Sequence, residues 1–300
     1  RGCSEPDPMS VAGEVLRTMR PRQWTKNLFV VAPLVFAEEA TDARLLGSAA
    51  AAFILFSSLS GCVYFLNDIV DIKSDREHPT KRHRPIPSGR LPLQTARVTL
   101  VLLLTLTMAA SVWLSPSFAA VGASYFALNV LYSFVLKHVP YVDITIIASG
   151  FLLRILGGAL AVAVPLSAWL GACTLLLASF LGLGKRKHEL LMVDGRGAKQ
   201  RRVLSRYNVD HVQIAMHILA FGTAATYFAY TLVGANEVVF DPQDLMPTLP
   251  FVCFGLWRFS ALTARVHQGK SPTDLMLHDT PFIANLVLWF LTVIAIVYLL

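Results

Sequence analysis

Ala51-Ala-Phe-Ile-Leu-Phe-Ser-Ser-Leu-Ser-Gly-Cys-Val-Tyr-Phe-Leu-Asn67-Asp68-Ile-Val-Asp71-Ile-Lys-Ser-Asp75 is an apolar run that ends in an amide and three carboxylates. The apolar part belongs to a stretch over 46–69, long enough to cross a bilayer as a helix. At about 100° per residue, Asn67, Asp68, Asp71 and Asp75 fall within one arc of such a helix. Three like charges on one face at a membrane boundary repel, and each is costly to desolvate without a partner. A divalent cation between them resolves both costs, and carboxylate and amide oxygens suit Mg2+, which leaves positions open for substrate phosphates. Ordinary solvated charges at a helix end would explain Lys73 and Arg90 but not three acids on a shared face.

Directly after comes Arg76-Glu-His-Pro-Thr-Lys81-Arg82-His83-Arg84-Pro-Ile-Pro-Ser-Gly-Arg90, dense in positive charge. Such cations would grip the rest of a diphosphate held by the metal. The pair of segments points to a metal-diphosphate site at a membrane surface.

The whole chain supports the membrane setting. Of its 300 residues 55% are hydrophobic and only 15% charged, where a soluble domain carries about a quarter charged. Near-spanning apolar runs recur along the chain, so we expect an all-α bundle of about nine transmembrane helices forming a single integral membrane domain over 1–300. The expected spans are 27–40, 46–69, 93–113, 117–136, 141–163, 166–184, 211–235, 245–263 and 280–300. Residues 1–15 read as a flexible tail without the apolar stretch of a signal peptide. The four cysteines are scattered with no C-x-x-C spacing, which supports neither a zinc site nor a disulfide framework. No nucleic-acid partner is expected, and the oligomeric state stays open.

Nearly all of the 26 lysines and arginines fall in the N-terminal segment and in alternate connections of that span layout, while Arg44 lies on the other side with Glu38, Glu39 and Asp42. The positive-inside rule then puts the N-terminus and the motif loops in the cytoplasm and the C-terminus outside, as a multi-pass plasma-membrane protein.

Three further clusters carry charge at span ends. Tyr132-Ser-Phe-Val-Leu-Lys137 precedes Asp143 and Arg154, which lie about three helical turns apart on one face. An acid and a base inside a bundle either pair or line a wet cavity, and spacing alone leaves both open. Gly182-Leu-Gly-Lys185-Arg186-Lys187-His188-Glu189 ends the sixth span and leads into Gly195-Arg-Gly-Ala-Lys199-Gln-Arg201-Arg202 and Arg206-Tyr207-Asn208. Lipid head groups account for Lys199, whereas Lys185, Arg186, Lys187 and Glu189 continue directly from a span. Arg20-Pro-Arg22-Gln-Trp24-Thr-Lys26-Asn27 is either an interfacial anchor or the rim of an anion site. His211, His217, His267 and His278 show no ligand spacing and read as interface or packing residues.

Asn67-Asp-x-x-Asp71-x-x-x-Asp75 followed by Arg84-Pro-Ile-Pro-Ser-Gly resembles the signature of the UbiA superfamily of intramembrane prenyltransferases, and the likeness runs over nearly the whole chain. Members usually carry a second aspartate-rich motif at the end of the sixth span; here that place reads Gly184-Lys185-Arg-Lys-His-Glu189. The departure points away from an isoprenyl-diphosphate donor and toward substrates with additional phosphates. The opening cluster, Tyr132–Lys137, the Lys185–Glu189 segment and Arg206-Tyr-Asn look like one branch, the decaprenyl-phosphate phosphoribosyltransferases of actinobacterial cell-wall synthesis. That resemblance implies transfer of 5-phosphoribose from phosphoribosyl pyrophosphate to a polyprenyl (decaprenyl) phosphate for arabinan precursors.

Together these observations nominate Asn67, Asp68, Asp71 and Asp75 as Mg2+ ligands, with Asp68, Asp71, Asp75 and Lys137 at the chemistry. Substrate contacts are expected from Arg22, Lys26, Asn67, Lys73, Lys81, Arg82, Arg84, Tyr132, Lys137, Asp143, Arg154, Lys185, Arg186, Lys187, Glu189, Arg202 and Tyr207. The polyprenyl tail would lie in an apolar groove open to membrane lipid. Two other readings compete: transfer of an isoprenyl group to an aromatic or lipid acceptor, and transport of an anion, for which internal repeats would be needed.

Overall fold

The computed structural model describes residues 8–136, 139, 141–194, 207–233, 242–264, 275–276 and 278–299. Regular structure among them is helical throughout. The α-helices are α1 (Pro8–Met19), α2 (Ala32–Phe36), α3 (Ala43–Val70), α4 (Ile72–Glu77), α5 (Leu93–Leu114), α6 (Pro116–Phe134), α7 (Val142–Ala161), α8 (Ala168–Asp194), α9 (Val209–Val233), α10 (Leu249–Ala264) and α11 (Thr280–Leu299). Among the described residues, eight helices are long and apolar enough to cross a membrane: α3, α5 to α9, Pro242–Ala264 and α11. A helix satisfies every backbone N–H and C=O within itself, which is why apolar runs of this length fold this way in lipid.

The helix starts are written locally. Asp42 Oδ1 accepts from the backbone N–H of Arg44 (2.7 Å) and Leu45 (3.3 Å) at the start of α3. Ser115 Oγ accepts from Phe118 N ahead of α6, with Pro116 at the first helical position. Asn208 Oδ1 caps α9, and Asp279 Oδ1 caps α11. Each of these satisfies amides that a helix end leaves without partners.

The chain divides into two compact units. The first comprises residues up to Leu34, Ala40–Val135 and Leu153–Pro165, built on α3 with α1, α5 and α6 against it. Its core holds Phe56, Leu59, Val63, Phe118, Val121 and Tyr125. The second comprises Val35–Glu39, Leu136–Leu152 and Leu166–Leu300, in which α8 packs on α9 and α10 on α11. Phe180, Leu183, Val212, Met216 and Phe259 form its largest core cluster.

The first expected span, 27–40, is not one α-helix. Pro21–Val30 is a 3-10 helix of 10 residues, followed by the five-residue α2. It still runs the length of α3 in the opposite direction: Arg20 bonds to Asp68, Asn27 bonds to Ser57 and Ser60, and Leu34 packs with Ala49. A 3-10 helix rises about 2.0 Å per residue against about 1.5 Å in an α-helix, so few residues cover a long stretch of α3. Among the described residues the long apolar helices therefore number eight, against the nine spans expected, and the segment expected as the first span lies along α3 in another form. Close approach makes it fit: a Cβ on Gly158 would sit 1.9 Å from the carbonyl oxygen of Val30, so only glycine admits this crossing.

At the other end of the chain's first turn, the expected flexible tail over 1–15 does not extend to residues 8–15. They belong to α1, whose Val11, Val15 and Met19 pack on the cluster of Phe65, Ile86, Leu91 and Ala96. Burying that apolar face holds an otherwise marginal 12-residue helix in place.

Candidate active site

In the first unit α3 stops at Val70 and α4 restarts at Ile72, with Asp71 between them at φ −91° and ψ 9°. Asp71 N still bonds to Asn67 O and Asp75 N to Asp71 O, so the helical register carries through this slight break. Asp68 and Asp75 are therefore both turned inward and buried, at 1% and 2% exposure, while Asn67 and Asp71 are half-buried. His78 is extended ahead of Pro79, as a residue preceding proline prefers, and ends the helix. The chain then returns through the 3-10 turn Lys81–His83 and bends at Gly89, whose φ of +83° suits glycine. Ile86, buried in the α1 cluster, pins the loop and so aims Arg84 at the carboxylates.

Arg84 Nη1 bridges the two acids, 3.1 Å from Asp68 Oδ1 and 2.7 Å from Asp75 Oδ2. Lys81 Nζ lies 3.6 Å from Asp75 Oδ1. A residue outside the nominated set completes the group: Arg20 Nη2 donates to Asp68 Oδ1 at 2.5 Å, with its guanidinium 4.6 Å from the Tyr64 ring centroid. Burial lowers the Arg20 pKa below the ordinary arginine value while Asp68 pulls it back, and the group stays a cation. Cations thus do part of the neutralising that the sequence assigned to a metal.

Among the described residues no three His, Cys, Asp or Glu side chains converge as a ready metal cage. The donor set nevertheless fits Mg2+, which is commonly held by one or two carboxylates plus substrate phosphates. Asp68 Oδ2 is buried with no hydrogen-bond partner, an orphan lone-pair donor where a cation belongs. Asn67 Oδ1 lies within hydrogen-bonding reach of the Ser133 hydroxyl, which fixes the amide beside it.

Asp143 and Arg154 do not pair. Eleven residues of α7 separate them by about 16 Å, and each has its own partners. Arg154, in the first unit, donates from Nε to Asn27 Oδ1 (2.8 Å) and from Nη2 to Tyr125 OH (3.0 Å), and stacks 4.9 Å from the Tyr125 ring centroid. Asp143, in the second unit, accepts from Arg186 Nε and from Tyr207 OH (2.8 Å). Arg186 also donates to Glu189, and Tyr207 OH accepts from Tyr141 N at 2.7 Å. Burial pushes the Tyr207 phenol up, reinforced by its hydrogen bond to Asp143, so it stays a neutral donor.

The structure thus gathers Asp68, Asp75, Lys81 and Arg84 in one group, and Asp143, Arg186, Glu189 and Tyr207 in another. Lys187 is buried on α8 and Lys185 is exposed there. Arg22, Lys73 and Arg82 are exposed, with Arg82 against His83, and Lys26 and Tyr132 are half-buried. Lys137 and Arg202 lie outside the described residues. Arg20, Asn27, Tyr125 and Tyr141 were not nominated as site residues. Arg20 meets its acid across 48 residues, a separation that no local spacing reveals.

The profile of the UbiA prenyltransferase family matches residues 28–286. The decaprenyl-phosphate phosphoribosyltransferase of Mycolicibacterium smegmatis is 31% identical over 97% of this chain and 94% of its own length. That of Mycobacterium tuberculosis is 34% identical over 84% of this chain and 76% of its own. Among solved structures, a UbiA homolog from Archaeoglobus fulgidus bound to DMAPP and Mg2+ superposes with a TM-score of 0.72 at 16% identity, covering 96% of this chain and 100% of that one.

Proposed function

The chain belongs to the UbiA prenyltransferase family, and from that premise we propose that it transfers 5-phosphoribose from phosphoribosyl pyrophosphate to decaprenyl phosphate, releasing pyrophosphate. Supporting this are relatives of that activity matched along nearly the full length of the chain. The structural observation that carries it is the pair of buried carboxylates, Asp68 and Asp75, ringed by Arg20, Lys81 and Arg84. That surplus of cations beside acids suits a donor with a diphosphate and a further phosphate.

A divalent cation, Mg2+ in this reading, would be held by Asp68, Asp71, Asp75 and Asn67 and would supply Lewis-acid neutralisation of the leaving diphosphate. Arg84 and Lys81 hold the diphosphate oxygens and stabilise the charge that grows as the C1–O bond stretches. The acceptor phosphate is already an anion, so no side chain has to remove a proton from it. Attack from the face opposite the diphosphate inverts C1. Lys185 and Lys187 of α8, with Lys137, are the cations we assign to the remaining phosphates, and Arg202 to the same set. Arg22, Lys26, Lys73, Arg82, Tyr132 and Arg154 are assigned as supporting contacts. Arg186 positions Asp143, Glu189 and Tyr207.

The positive-inside pattern supports placing this chemistry at the cytoplasmic face of the plasma membrane, with the C-terminus outside. The product would feed arabinan precursor synthesis. Incubation of the purified protein with Mg2+, labelled phosphoribosyl pyrophosphate and decaprenyl phosphate should move label into the lipid phase, and EDTA should stop it. Turnover of an isoprenyl diphosphate with an aromatic acceptor instead would replace this reading.

A further inference from the structure

The group around Asp68 is crowded with positive charge in a particular way. Two guanidiniums, those of Arg20 and Arg84, converge on the single oxygen Oδ1, while Oδ2 of the same carboxylate has no partner. The two buried acids, Asp68 and Asp75, face three cations, Arg20, Lys81 and Arg84. A bare divalent cation entering a constellation whose acids are already paired meets repulsion from all three. The same cation arriving with a diphosphate does not, because the added anion gives the displaced guanidiniums a new partner.

Arg20 is the cation built to make that exchange. Its backbone is left-handed, at φ 53° and ψ 66°, a conformation costly for a residue with a side chain. The surroundings enforce it. Met19 packs on Gly61, Trp24 Nε1 donates to Met19 O at 3.2 Å, and Glu14 bonds to Arg90 at 3.1 Å, which in turn donates to His83 O. The turn between α1 and the 3-10 helix is thereby fixed to both α3 and the motif loop. Its guanidinium nevertheless keeps 29% of its side-chain surface exposed, so it is held in place without being sealed in.

We propose that Arg20 is an exchanging phosphate ligand: it pairs with Asp68 before metal and phosphate arrive and transfers to a phosphate oxygen when they bind, making their binding obligatorily coupled. The proposal rests on the metal-diphosphate reading of the site and adds to it a residue and an order of events. The phosphate concerned belongs to the donor's diphosphate or to the acceptor lipid, and the two can be told apart.

The test is the affinity for Mn2+, followed by its paramagnetic resonance, with and without pyrophosphate, for the wild type, Arg20→Lys and Arg20→Gly. Glycine suits the left-handed backbone, so Arg20→Gly is expected to fold, with thermal unfolding of the ligand-free protein as the check. Pyrophosphate should tighten Mn2+ binding to the wild type by about tenfold or more. In Arg20→Gly that tightening should fall to near one, with Mn2+ alone binding more strongly; Arg20→Lys should fall between. If a short-chain polyprenyl phosphate, rather than pyrophosphate, shows the Arg20-dependent tightening, the ligand is the acceptor's phosphate. Equal tightening in wild type and Arg20→Gly with both ligands overturns the proposal, as does a wild type that binds Mn2+ equally well without either. Phosphoribosyl transfer measured alongside separates the two claims: transfer with unchanged coupling sinks only the exchange, and lost coupling without transfer sinks only the reaction.

Discussion

Two carboxylate–guanidinium groups in this protein use the same chemistry to opposite ends. At Asp68 and Asp75 the partner cations Arg20, Lys81 and Arg84 keep between 28% and 30% of their side chains exposed, and one carboxylate oxygen lacks a partner. At Asp143 the guanidinium of Arg186 is 6% exposed and shared between Asp143 and Glu189, with Tyr207 closing the second Asp143 oxygen. The first group can trade its partners for a ligand because its cations are partly open to water and an arriving metal would take over the charge of the buried carboxylates. The second cannot, because breaking a buried pair strands an uncompensated charge. Ion pairs at a site are informative by how completely they are closed, more than by their presence.

Three substitutions sharpen or break this contrast. Asp68→Ala should lower phosphoribosyl transfer by about a thousandfold, the scale of losing a preorganised electrostatic contact. Its thermal unfolding temperature should stay close to the wild type, because Arg20 and Arg84 can turn to water. A collapse in stability would show the first group to be as structural as the second. Arg186→Ala should do the reverse, costing about 3–5 kcal/mol of stability by leaving Asp143 buried without its cation. Thermal unfolding in detergent reads this, and an unaltered transition would place Arg186 with the exchangeable cations. The smallest effect is expected from Tyr207→Phe, which removes one donor to Asp143 and one acceptor for Tyr141 N, about 1–3 kcal/mol. A Tyr207→Phe loss in transfer without loss of stability would move the phenol from support to substrate contact.

Asp68 and Asp75 were legible in the sequence because seven residues make nearly two helical turns, and the register survives the break at Asp71. Arg84 was legible as a cation close behind them. The segment expected as the first span was legible as a stretch between charged ends but not in its form: hydropathy cannot distinguish a rise of about 2.0 Å from one of about 1.5 Å, and Pro21–Val30 is not among the long apolar helices. The facing of Asp143 and Arg154 on α7 was read correctly as a shared stripe, yet it said nothing of partners, which come from other elements.

By itself the sequence determined the membrane class, the eight long spans, the first carboxylate motif and the family, all of which are written in local composition and short spacing. Only the tertiary structure decided that Arg20 closes on Asp68 across 48 residues, that Asn27 meets Arg154 across 127, and that Gly158 lets Val30 pass beside it. The physical reason is that helical periodicity fixes which face of a helix a residue occupies, whereas its neighbour on that face is chosen by close packing between segments remote in the chain.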